Sequence, residues 1–313
     1  MSVYRALAPA KVNLGLFLGP TRETDGRHEL VSVMQSISLA DELRLEPAGG
    51  DAGAEGEAGA DELICPGLPG PPQENLAALA LALFRQATGW RGPPQRLSIE
   101  KKIPVAAGLG GGSADAAAAL RLIAQASGLG DEHLLLQLGG ELGADVPAQI
   151  APGRWLASGA GEQLRALPDP FPALELIVLP SSEQLSTAAV YRAADQLGLA
   201  REPTELGQFL QQLRIALELG APMPSARELL HNDLQQAAIS LCPSIAPALA
   251  AVADAGAEQV LLSGSGPTVL GLFGHANAAG RVQRALAELA GLEPAPLAAR
   301  SVGAAFGAVV GVE

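Results

Sequence analysis

Aromatic side chains are scarce in this sequence. Six Phe, two Tyr and two Trp amount to 3% of 313 residues, so an apolar content of 48% has to be packed from aliphatic side chains. Cysteine is scarcer still. Cys65 and Cys242, far apart in the chain, offer neither a disulfide framework nor a zinc site, which suits a reducing cytoplasm. Positive charge is in deficit, with 20 Lys and Arg against 33 Asp and Glu for a net charge of −13. That balance excludes a general binder of nucleic acid or of anionic membrane, since both partners require a basic surface. Long apolar runs are missing: Leu76 to Phe84 and Ala116 to Ala126 fall well short of the roughly 20 residues that span a bilayer. The stretch Val12 to Leu18 is interrupted by Asn13, preceded by Lys11 and followed by the charged segment Arg22 to Asp25, so it does not make an export signal. The expectation is a cytoplasmic globular protein, long enough for two domains, whose oligomeric state is not written in its composition.

Glycine is plentiful, and four glycines fall in the five positions Gly108 to Gly112. The segment Pro104-Val105-Ala106-Ala107-Gly108-Leu109-Gly110-Gly111-Gly112-Ser113-Ala114 then enters an alanine-rich run to Ala126. This predicts a loop feeding a helix N-terminus, with unpaired N–H groups and a partial positive charge facing an anion. Two better-known glycine signatures are excluded by position. A P-loop needs Lys-Ser/Thr after its last glycine, where Ser113-Ala114 stand, and a dinucleotide fingerprint needs a glycine at Ser113. The stretch is read as a triphosphate cradle. A ligand-free strand-to-helix turn explains one or two glycines but not this density.

Elsewhere the periodicities predict strands over Tyr4 to Leu7 and Val12 to Leu18, separated by a bend at Pro9, and over Val31 to Leu39. Strands at Asp41 to Leu45 and Glu62 to Cys65 flank Pro47 to Ala60, a low-complexity stretch read as a hairpin insertion. Helices are expected over Leu76 to Gln86, capped by Asn75, over Asp131 to Leu138, ending near Gly139-Gly140, and over Glu205 to Leu219, Arg227 to Ile239 and Ala276 to Leu292. A strand, Arg96 to Glu100, delivers the glycine loop. Gly159 to Leu167 reads as a linker, with Pro168, Pro170 and Pro172 marking a boundary, followed by a strand at Leu174 to Leu179 and closing strands within Ala299 to Val312. From these residues alone Lys11 is a solvated lysine on a half-exposed strand, Asp145 a turn or capping residue, and Tyr191 a core aromatic.

Four segments carry a resemblance to a known family. The glycine segment resembles the phosphate loop of the GHMP kinases, and Ala8-Pro9-Ala10-Lys11-Val12-Asn13-Leu14, Gly143-Ala144-Asp145-Val146-Pro147 and Ser263-Gly264-Ser265-Gly266-Pro267-Thr268-Val269 resemble its other motifs, in order. The resemblance implies an α+β, two-domain fold: an N-terminal half like ribosomal protein S5 domain 2, residues 1–167, and a ferredoxin-like half, residues 168–313. It implies ATP, with Mg²⁺ accompanying it, bound by Pro104 to Ala114, and catalysis by Lys11 and Asp145. No acidic residue is assigned to the metal. Asp25-Gly26-Arg27-His28 and Ser186-Thr187-Ala188-Ala189-Val190-Tyr191 resemble segments that hold a cytidine diphosphate-linked methylerythritol. By that resemblance Asn13, Arg27, His28, Thr187, Tyr191, Gly264 and Ser265 are substrate contacts. Arg27 departs from the motif, where tyrosine is usual. A planar guanidinium can stack on a base in its place, with Tyr191 on the opposite face and His28 at the base edge. Another small-molecule kinase of the family, or an inactive ligand sensor on the same fold, stays open at this point.

Overall fold

The computed structural model describes residues 2–48, 60–68, 70–170, 172–218, 230–274 and 277–312. Two long antiparallel strands open the chain, β1 (Val3–Thr21) and β2 (His28–Pro47). The sequence reading breaks both, at Pro9 and at Ala40, but each is continuous. Pro9 sits beside a register shift between Pro9 and Lys11, an irregularity that absorbs a residue without an N–H. β3 (Glu62–Ile64) pairs in parallel with β4 (Gln95–Glu100), which in turn pairs with β2. β2 and β3 are therefore not partners in a hairpin, and residues 49–59 of the expected insertion lie outside the described residues.

Asn75 accepts from the Ala77 N–H and starts α1 (Leu76–Thr88). α2 (Gly111–Ser127) begins three residues earlier than its alanine run suggests, so Gly111, Gly112 and Ser113 are its first turn and not loop. α3 (Glu132–Leu142) runs through Gly139 and Gly140 and stops at Gly143. A β-carbon on Gly139 would stand 3.3 Å from Val146 and 3.4 Å from Pro147, so that glycine serves packing and does not end the helix. After α4 (Val146–Ile150), a hairpin of β5 (Arg154–Ser158) and β6 (Gln163–Leu167) joins β2, so the expected linker belongs to the first sheet.

The remainder comprises β7 (Glu175–Leu179), α5 (Thr187–Gln196), α6 (Pro203–Glu218), α7 (Gln235–Leu241), α8 (Ile245–Asp254), β8 (Gln259–Leu262), β9 (Val269–Phe273), α9 (Ala278–Glu288), β10 (Leu297–Arg300) and β11 (Val310–Val312). The helix expected from Arg227 is helical only from Gln235 among the described residues. Before it the chain turns, and Asn232 forms an isolated bridge with Leu16. Among the described residues, one sheet runs β11-β1-β2-β4-β3 with β5 and β6 branching from β2, and a second runs β10-β7-β9-β8.

Helices α1 to α4 cover one face of the first sheet. The run Ala114 to Ala119 is buried there, and its small side chains let α2 approach β1 and α1 closely. A second core, with Val12, Leu14, Val33 and Ile37 from the first sheet and Leu176, Val178, Leu270 and Leu272 from the other, joins the two halves. Helices α5, α7, α8 and α9 cover the far side of the second sheet. None of the helices described is long and apolar enough to cross a membrane.

The seam between the halves also carries specific polar contacts. Thr268, fully buried beside β9, donates its hydroxyl to the Ala107 carbonyl at 2.6 Å, fastening the second glycine loop to the first. Thr268→Val keeps the shape but leaves that carbonyl without its donor. We expect a loss of about 1–3 kcal/mol in chemical denaturation, the usual cost of an orphaned buried polar group.

Candidate active site

Lys11 faces Ser36 of β2 just past the register shift after Pro9, and its N–H donates to the Leu109 carbonyl at 2.9 Å. The lysine stem then crosses Gly110. A β-carbon there would lie 2.8 Å from Lys11 Cγ, and the Gly110 φ of +69° is itself a glycine conformation. The ammonium donates to Asn13 Oδ1 at 2.9 Å and stands 3.3 Å from Asp145 Oδ2. Asn13 donates to Ser32, and Ser32 donates to the Gly15 carbonyl, so the amide is held in one orientation. Asp145 precedes α4 but makes no side-chain capping bond, and its carboxylate is part-exposed to the cleft. The capping role suggested by its sequence context is not the one it plays.

The glycine segment folds as a turn ending in the N-terminus of α2. The first helical bond is from Ala114 N–H to the Gly110 carbonyl at 2.9 Å, which leaves the amides of Gly111, Gly112 and Ser113 ahead of it to face a ligand. Gly108 has φ +74°, and a β-carbon on it would strike the Gly266 carbonyl at 2.7 Å. The second glycine loop, Ser263 to Thr268, thus presses directly on the first. Asn232 fixes that second loop by donating to the carbonyls of Leu262 and Gly264.

Two cavities meet at the first loop. One, of about 320 Å³, is lined by Pro104 through Ser113 together with Lys101 and Asp115. The other, of about 700 Å³, holds Lys11, Asn13 and Asp145 at its floor, and Gly108, Gly110 and Ser113 line both. Ala114 lines neither, because its methyl is buried against α1 and the first sheet. Arg27, His28, Thr187, Tyr191, Gly264 and Ser265 all face the larger cleft. The Thr187 and Ser265 hydroxyls are 3.0 Å apart across it.

His28 is more constrained than a base-reading side chain needs to be. Its Nδ1 lies 3.0 Å from the Gly19 carbonyl and its Nε2 3.1 Å from Asp195 Oδ1, so both ring nitrogens are engaged. The ring sits 5.4 Å from Tyr191, tilted by 42°. Burial, and then the charge of Asp145, hold the Tyr191 hydroxyl above its ordinary pKa. Arg27 donates to the Ala160 carbonyl at 2.6 Å, which fixes its guanidinium at the cleft mouth. Sequence reasoning passed over Arg192 and Asp195, which share a face of α5 with Ala188 and Tyr191 at helical spacing, and Lys101, Asp41 and Asp115 beneath the glycine loop. The visible signal for Asp115 is an acid at the head of an alanine run.

If phosphate oxygens approach the first turn of α2, Gly112 is the position to probe. A β-carbon there meets only Leu76 at 3.8 Å and the backbone is helical, whereas one on Gly111 presses on Ile103 at 3.2 Å. Gly112→Ala should leave the fold intact or slightly stabilised, by about 0.5–1 kcal/mol from helix propensity, while weakening ATP binding at least tenfold by calorimetry.

The family model described as GHMP kinases N terminal domain matches residues 75–153, and the GHMP kinases C terminal model matches residues 211–292. A 4-diphosphocytidyl-2-C-methyl-D-erythritol kinase of Nocardia farcinica is 40% identical over 97% of this chain and 94% of its own length. One of the same description from Anaeromyxobacter dehalogenans is 39% identical over 85% of this chain and 80% of its own. A crystal structure of 4-(cytidine 5'-diphospho)-2C-methyl-D-erythritol kinase superposes with TM-score 0.71 at 33% identity, covering 96% of this chain and 99% of that one. Homoserine kinase from Cytophaga hutchinsonii, at 18% identity and TM-score 0.72 over 99% and 97%, shares the fold. With both family models matched in order and relatives aligned along most of its length, the chain belongs to the GHMP kinase family.

Proposed function

We propose that this protein transfers the γ-phosphoryl group of ATP to the 2-hydroxyl of 4-(cytidine 5'-diphospho)-2-C-methyl-D-erythritol, a step of non-mevalonate isoprenoid synthesis. The observation that carries the reading is the Lys11–Asp145 pair, 3.3 Å apart, in a cleft that shares Gly108, Gly110 and Ser113 with the glycine-loop cavity. A donor phosphate on one side of that wall and an acceptor hydroxyl on the other are brought together at this pair. The relatives' description names the acceptor. Residues 1–167 form the ATP-binding domain in this reading and residues 168–313 the C-terminal one, with β11 returning to the first sheet.

Phosphoryl transfer passes through a loose transition state with charge spread over the equatorial oxygens, so positioning and electrostatics dominate. The amides of Gly111 to Ser113 and the N-terminus of α2 receive that charge. Asp145 accepts the proton of the attacking hydroxyl, and Lys11, held by Asn13, orients carboxylate and nucleophile. Tyr191, beside His28, offers a face to cytosine, and Arg27 at the mouth offers a guanidinium to the base or the diphosphate. Mg²⁺, when it accompanies ATP, neutralises charge on the β- and γ-phosphates. Among the described residues no group of three or more His, Cys, Asp and Glu is placed to hold a metal ion.

Asp145→Asn should lower kcat by about 10²–10⁴-fold with both KM values little changed, measured by ADP release with the cytidylylated acceptor against mevalonate and homoserine as controls. Near-wild-type turnover in the variant, or equal use of the controls, would displace the assignment. Arg27→Ala should raise KM for the acceptor about tenfold and leave KM for ATP unchanged, as expected for loss of roughly 1–3 kcal/mol of stacking. Tyr191→Ala provides the comparison: a loss there alone would leave the phenol as the sole stacking surface.

A further inference from the structure

Beneath the first turn of α2 lies a charge cluster that the transfer chemistry leaves unused. Lys101, just after β4, places its ammonium between Asp41 of β2 and Asp115 of α2, whose Oδ2 is 2.7 Å away. Asp41 accepts with its other oxygen from the backbone N–H of Lys102 and of Ile103, the latter at 2.8 Å. Asp115 has no such relief. Its Oδ1 is buried without a hydrogen-bond partner, in a residue only 1% exposed. An ionised carboxylate with a bare buried oxygen is strongly disfavoured, and protonation removes the penalty.

Fully ionised, the cluster carries one excess negative charge at the wall of the glycine-loop cavity. The Lys101 ammonium is 3.4 Å from where a β-carbon on Gly111 would stand, so the cluster sits directly under the turn whose amides face the ligand. A triphosphate arriving there meets that excess charge through a medium of low dielectric constant. Either a proton or a metal cation could cancel it. Oδ1 is closed to solvent and no metal-holding group occurs among the described residues, so the proton is the occupant that fits.

We propose that Asp115 takes up one proton as the triphosphate binds, converting Asp41, Lys101 and Asp115 into a neutral cluster that holds the first turn of α2 in its phosphate-binding position. The proposal rests on the glycine loop being the nucleotide site. Burial is the main force that pushes the Asp115 carboxyl up to about 7, against the pull of Lys101 and with the help of Asp41. The triphosphate pushes it further. Since the protonated form binds better, affinity is full below about pH 7 and falls as pH rises from there to the bound-state value. The groups facing Asp115 are Lys101, Asp41 on β2 and the Cys65 thiol after β3, whose own pKa is raised by burial and by Asp115. The other charges around α2 are engaged elsewhere: Arg121 with the carbonyls of Leu7 and Gln149, and Lys11 of β1 with Asn13 and, ahead of α4, Asp145. α1 and α3 meet α2 through apolar side chains.

Calorimetry with the slowly hydrolysed analogue ATPγS, without acceptor and in buffers of different ionisation enthalpy at about pH 8, counts the protons, since its terminal thiophosphate is ionised there. The wild type should take up more than half a proton per nucleotide, and its Kd should rise up to about tenfold per pH unit above pH 7. Asp115→Asn, which keeps the shape without the charge, should show neither effect. Binding of the analogue to the wild type without proton uptake overturns the proposal, and so does equal uptake in the variant. Should the variant not fold, infrared difference spectra of the wild type serve instead: nucleotide binding should add a protonated-carboxyl band, and its absence also overturns the proposal. An analogue that binds undiminished to Gly112→Ala refutes the nucleotide site itself, a separate failure that takes this inference with it.

Discussion

The candidate active site depends on one lysine being gripped at both ends. The Lys11 backbone is tied to the glycine loop through the Leu109 carbonyl, its stem lies over Gly110, and its ammonium reaches Asn13 and Asp145. A side chain fixed only at its tip would sweep several ångströms. Here the strand, the first glycine loop and the turn before α4 are referenced to the same residue, so a displacement of one is a displacement of all. Pre-positioning of this kind matters most where the chemistry demands little covalent work from the protein and much placement.

The second half of the molecule contributes the opposite wall through backbone. Gly108 and Gly266 touch main chain to main chain, Thr268 reaches the Ala107 carbonyl, and Asn232 secures the Gly264 carbonyl from behind. Where Gly108 meets Gly266, the distance between the two glycine loops is set by contact of backbones and leaves little slack. The shared aliphatic core under it excludes sliding of one sheet over the other.

Much of this was legible in the chain. Glycine density ahead of an alanine run announced a loop feeding a helix N-terminus, although the helix begins at Gly111 and not at Ala114. Asn75 was readable as a cap because its amide has a single local task. What was not legible depended on partners remote in sequence. Pro9 looked like a strand end, but a register shift against β2 absorbed it, and a shift is a property of two strands. Gly139 and Gly140 looked like a helix stop, but Val146 packs against the place where a β-carbon on Gly139 would stand. Asp115 reads as one polar residue in a helix. Only the fold brings Lys101 and Asp41, 14 and 74 positions away in the chain, onto its carboxylate.

The outermost strand of the first sheet has a consequence for synthesis. β11 pairs Val312 with Val3 and Val310 with Arg5, so the edge of β1 is closed by residues translated almost a full chain length later. Until β11 is made, the outer N–H and C=O groups of β1 around Val3 to Arg5 stand without that strand partner. Such an edge invites pairing with other nascent chains. The first residues of the strand that bears Lys11 therefore find their edge partner later in synthesis than their β2 partner.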